Sequence, residues 1–87
     1  MIRYWFEFGF EGYSNAPYGT RMGCGVTGIN YDDVIQILKE KVFSGKDLPK
    51  IILVKENIDI NELDNGHVLP NMLAPNRRGV WFPIGYQ

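Results

Sequence analysis

Apolar and polar residues alternate with period two from Ile2 to Phe10. Ile2, Tyr4, Phe6, Phe8 and Phe10 share one face, and Arg3, Trp5, Glu7 and Gly9 share the other. The alternation predicts a strand with one aromatic face. A second strand is expected over residues 21–29, with Met22, Cys24 and Val26 on one side and Gly23, Gly25 and Thr27 on the other. Glycine weakens a strand unless something must lie close against its backbone, and Trp5 is the expected occupant if the two strands pair as a hairpin. The period then changes. At roughly 100° per residue, Tyr31, Val34, Ile35, Leu38 and Val42 form one stripe, which predicts an amphipathic helix over residues 31–43. Asn30 is its N-cap, Asp33 stands where a capping box places an acid, and Ser44-Gly45 supplies the stop. Asp32 and Asp33 in the first turn, with Lys39 and Lys41 near the last, follow the sign of the helix dipole.

Residues 50–57 hold the run Ile51-Ile52-Leu53-Val54, rich in β-branched residues and bounded by Pro49 and by charge. This predicts a strand covered on both faces, hence central in its sheet. Ile58 and Ile60 continue its parity, so pairing could persist to about Ile60; alternatively Asp59 caps a short helical turn. The pattern leaves both open. Residues 11–20 are rich in turn formers and predict an exposed loop whose bulky members are Tyr13 and Tyr18. Residues 64–76 predict a long irregular connection, pinned by Val68, Leu69, Met72 and Leu73. Val80-Trp81-Phe82 is a last short strand, and Pro83 places it at an edge or ends it there. The expected fold is therefore α+β. It is a single two-layer domain over residues 1–87, with about four mainly antiparallel strands in the order β-β-α-β-β and one helix on one face.

Composition narrows the possible roles. Eighty-seven residues make one domain and are too few for two. A hydrophobic fraction of 45% with 14% aromatics argues against disorder. A formal net charge of −1 lacks the basic excess that nonspecific nucleic-acid binding needs. One cysteine, Cys24, makes no internal disulfide. The opening residues alternate instead of forming a basic start and an apolar run, and no apolar stretch approaches about 20 residues. A cytoplasmic protein is expected, with no cofactor, and with neither membrane nor nucleic acid as partner.

Candidate chemistry adds little to this. Gly23-Cys24-Gly25-Val26-Thr27-Gly28 has the spacing of a dinucleotide loop, but no apolar strand precedes it and the glycines fall inside a predicted strand. Asp59, Asn61, Glu62, Asp64 and His67 crowd together, yet counting from Asp59 the sixth position is Asp64 where a calcium loop needs glycine. A single histidine and a single cysteine are a poor zinc set. His67 has no nucleophile or acid at a diagnostic spacing, and Cys24 lies on an apolar strand face, where a thiol is inert packing. Arg77 and Arg78, with Arg21, could grip a carboxylate or phosphate, or could be solvated arginines in a turn.

One helix shields only part of one sheet face. Trp5 and Trp81, with Tyr13, Tyr18 and Tyr86, are then expected on the open side or rim, where grouped aromatics mark a partner surface. The alternative is that they pack beneath the 64–76 connection as a second core. Glu56, Asp59, Glu62 and Asp64 add a local negative bias suited to a basic partner. The expected partner-binding set is Trp5, Tyr13, Tyr18, Glu56, Asp59, Glu62, Asp64 and Trp81. Two other roles remain open: a small enzyme or phosphate binder using His67, Arg77 and Arg78, and a homodimer paired through an edge strand.

Three segments carry a resemblance. They are Trp5-Phe6-Glu7-Phe8, then Gly23-Cys24-Gly25-Val26-Thr27 ahead of Tyr31-Asp32-Asp33-Val34, and His67-Val68-Leu69-Pro70-Asn71 followed by Arg78-Gly79-Val80-Trp81-Phe82-Pro83. Together they resemble a family of small stand-alone bacterial proteins, a likeness that places no activity on particular residues. In size and composition the chain is also similar to immunity proteins, which neutralise a toxin inside the cell that makes it. That resemblance implies a protein partner, with a basic toxin domain as the candidate, and no catalytic residues.

Overall fold

The computed structural model describes residues 1–86. Four strands, β1 (Ile2–Gly9), β2 (Cys24–Gly28), β3 (Lys50–Glu56) and β4 (Gly79–Phe82), form one antiparallel sheet in the order β3-β1-β2-β4. One helix, α1 (Tyr31–Lys41), packs on one face, giving the expected α+β arrangement. The centre belongs to strands whose two faces both bury side chains. In β1, Tyr4, Phe6 and Phe8 lie under α1 while Trp5 is buried on the far side.

The start of α1 follows the sequence closely. Asn30 Oδ1 accepts from the Asp33 N–H at 2.9 Å, and Asp33 Oδ2 accepts from the Ile29 N–H at 2.9 Å. The first bond is the N-cap contact; the second reaches one residue further back than a capping box would, to the residue before the cap. The helix ends at Lys41 with Val42 as C-cap, slightly short of 43, and Ser44 and Gly45 leave with positive φ. Its buried residues are Val34, Ile37 and Leu38, while Tyr31 stays exposed at the rim.

Three expectations change. The second strand is Cys24–Gly28, because Arg21 and Met22 belong to a 3-10 turn, Thr20–Met22. Gly23, at φ 132°, then swings the chain into the sheet, a conformation open to glycine. β3 is an edge strand and not a central one. Its apolar run mimics a buried strand, but the register with β1 skips Ile52, which is 65% exposed. The bulge, together with Lys50 and Lys55, blunts a free edge against pairing with a second copy. Beyond β3 the helical-turn alternative holds: Asp59 accepts from the Asn61 N–H at 3.0 Å and opens a 3-10 turn, Ile60–Glu62.

The third change concerns the face away from α1. Trp5 and Trp81, named for an open side with burial under the 64–76 connection as the alternative, are 5% and 1% exposed, so the alternative holds. They pack with Ile58, Leu63, Val68 and Phe82 in a second core beneath the irregular connection. Trp81 Nε1 donates to Thr27 Oγ1 (3.1 Å), and Thr27 donates in turn to the Pro75 carbonyl (2.6 Å). The Leu73 N–H donates to the Trp81 carbonyl (2.9 Å), so the connection also closes part of the β4 edge. Bare backbone at Gly23, just before β2, and at Gly25 within it admits the two indoles. A Cβ on Gly25 would collide with the Trp81 ring, and one on Gly23 with that of Trp5. Among the described residues no helix is long and apolar enough to cross a membrane.

Candidate partner-binding surface

With the tryptophans sealed, the apolar surface left in water is elsewhere. Tyr18 (92% exposed), Met22 (41%) and Ile84 (51%) line one groove of about 520 Å³ with Gly19, His67, Asn71, Phe82 and Pro83. Local chemistry fixes each part. The Thr20 hydroxyl donates to the Pro17 carbonyl (2.6 Å), which turns the loop and leaves Tyr18 outside it. The Tyr86 hydroxyl donates to the Tyr18 carbonyl (2.9 Å), tying the loop to the segment that carries Ile84. The Asn71 amide donates to the His67 carbonyl (2.9 Å) and steadies the opposite wall. An apolar groove rimmed by polar groups and held by backbone contacts is the usual form of a docking surface.

Met22 also lines a second, smaller cleft of about 240 Å³, where the connection stops short of β3. Its apolar lining includes Trp5, Leu53 and Ile58, and it carries three carboxylates, Glu7, Glu62 and Asp64, against one ammonium, Lys55. Glu7 accepts from Trp5 Nε1 at 3.1 Å. Asp64 Oδ1 accepts from the N–H groups of Gly66 (2.7 Å) and His67 (3.1 Å). The Gly66 N–H, followed by the His67 side chain, holds the Asp64 carboxyl below the usual carboxylate range. Glu62 stands 3.9 Å from Lys55, with both side chains about half exposed, a geometry that contributes little by itself.

The residues expected to bind a partner thus divide. Tyr18, Glu62 and Asp64 lie on this surface. Trp5 contributes only a buried flank, and Trp81 belongs to the second core. Tyr13 is half-buried against Phe10 and Phe43. Asp59 is exposed but occupied in capping its turn. Glu56 is across the sheet, opposite Tyr4, whose hydroxyl it faces at 3.4 Å. Glu7, Met22 and Ile84 were missed. For Glu7 a signal existed, since the alternation placed it on the far face of the strand beside Trp5.

The residues of the enzyme reading do not converge. His67 lines the Tyr18 groove and faces Asp64 at 3.4 Å. Arg77 and Arg78 line a different groove with Leu73 and Trp81, and Arg78 grips Asp33 through two bonds of 3.0 and 2.6 Å. That carboxylate occupies the N-terminus of α1, where a dinucleotide's phosphates would sit. Arg21 stacks over Phe10 instead of joining the other arginines. Burial pushes the Cys24 thiol up to about 12, which leaves it a poor nucleophile. Among the described residues no three His, Cys, Asp or Glu side chains group so as to hold a metal ion. Compared with family models, curated proteins and solved structures, the chain matches none.

Proposed function

We propose that the chain is a protein-binding module of the inhibitor or immunity type, a cytoplasmic protein that blocks a bacterial toxin by covering its active surface. The observation that carries this reading is the gathering of Tyr18, Met22 and Ile84, three large apolar side chains in water, around one groove. The adjoining carboxylates favour a basic partner, because charge of the opposite sign speeds encounter while apolar burial slows release.

The test is co-expression with proteins encoded by the flanking genes, reading growth, followed by titration calorimetry on any pair that interacts. The expected result is that one of them is toxic alone, is neutralised by this chain and binds it directly. The double variant Tyr18→Ala, Ile84→Asp should fold yet weaken binding by about 100-fold, as loss of a central apolar contact does. A toxin neutralised equally well by that variant removes the groove from the account, and flanking products that are all harmless remove the immunity role.

A further inference from the structure

The two clefts are adjacent, and Met22 is common to both. They differ in chemistry. The larger offers Tyr18, Met22 and Ile84 to an apolar side chain. The smaller has an apolar floor, built from Trp5, Leu53 and Ile58, under three carboxylates. That second combination is the complement of a long cationic side chain. Its methylene stem packs on the apolar floor while its head stays among the acids.

Two of the acids are already oriented. Glu7 is held by the Trp5 indole N–H, and Asp64 by two backbone N–H groups of its own turn. Lys55 neutralises at most one of the three, and its contact to Glu62 is loose at 3.9 Å. Negative charge therefore remains, with oxygens fixed before any partner arrives. The space, about 240 Å³, holds one side chain and not a helix or a second strand.

We propose that this cleft takes a single arginine or lysine from the same partner segment whose apolar residue packs on Tyr18 and Ile84; the assignment rests on the docking role proposed above. The partner motif is then one long basic residue beside one large apolar residue in an extended stretch.

A random linear dodecapeptide phage library is the probe. Selection on the full chain should enrich peptides pairing Arg or Lys with an aromatic or aliphatic residue. Against the variant Glu7→Gln, Glu62→Gln, Asp64→Asn, the enriched peptides should bind at least about tenfold more weakly, the loss expected for a charge-assisted contact. Gln and Asn keep an oxygen for the Trp5, Gly66 and His67 N–H groups, so the change removes charge and keeps those bonds; the variant enters the binding assay once circular dichroism and its urea midpoint show it folded at the assay pH. Tyr18→Ala should weaken the same peptides without changing their basic preference. A consensus that is apolar only, or a basic consensus insensitive to the triple variant, overturns this inference and leaves the docking groove standing. Selection that enriches no motif overturns both.

Discussion

At the scale of single residues, the most consequential side chain is one the sequence did not single out. Thr27 is buried and links two partners, accepting from Trp81 Nε1 and donating to the Pro75 carbonyl. These partners stand 54 and 48 residues away along the chain, so no local pattern announces them. Thr27→Val keeps the shape and strands both groups. The expected cost is about 2 kcal/mol, within the range for leaving buried polar groups unpaired, read as a lower urea midpoint at unchanged m. A loss below about 0.5 kcal/mol would mean that the relay carries little. Cys24 was more legible, because its apolar neighbours at alternate positions marked a packed thiol. Its burial is complete, so a thiol-reactive dye labels the native protein only through opening, and labelling should track added urea. Rapid labelling without denaturant would contradict the burial.

Among the elements, α1 shows the clearest agreement between pattern and structure, since caps and dipole charges act within a turn of one another. What the pattern could not supply is Arg78, which reaches Asp33 from 45 residues away and turns a cap into a tertiary clasp. The pH response follows from this clasp and from the Asp64 turn. The Arg78 hydrogen bond, then the Ile29 N–H, lowers the Asp33 pKa, and the Gly66 N–H leads in lowering that of Asp64. A carboxyl depressed in the folded state adds stability above its unfolded value, about 3.9, and loses it as pH falls through the lower folded value. Urea midpoints should therefore be level above about pH 5 and fall below about pH 4. Asp33→Asn with Asp64→Asn should be less stable at pH 7 and approach the parent by pH 2. Parallel curves across that range would exclude the two carboxyls as the source. The edge position of β3 was hidden for another reason. Four consecutive apolar residues look alike whether both faces are covered or a bulge turns one of them outward.

For the whole molecule, the decisive matter is which surfaces are finished. Residues 64–76 have no periodicity, so the sequence could offer their packing over both tryptophans as an alternative but could not choose it over an open face. Alternation did place Trp5 opposite the aromatic row of β1, and that assignment holds. What failed was the inference that a face without a helix is a face in water. The candidate surface moved for the same reason, from the tryptophans to side chains at loop ends that follow no period. A mechanical consequence follows. The cluster under α1 and the cluster under the connection are built on opposite faces of the same strands, with Tyr4 and Phe6 on one side of Trp5 and Val80 backing Trp81. Neither can open without exposing the backbone bonds that the other needs. Both tryptophans report the far side and the helix reports the near side, so the two faces can be followed separately. Tryptophan fluorescence and helical circular dichroism should give one coincident urea transition, as two-state unfolding requires. The native emission should be blue-shifted and resistant to iodide. A fluorescence change that precedes loss of the helix would show that the connection is a detachable cover, and that the indoles become available to a partner only after it lifts.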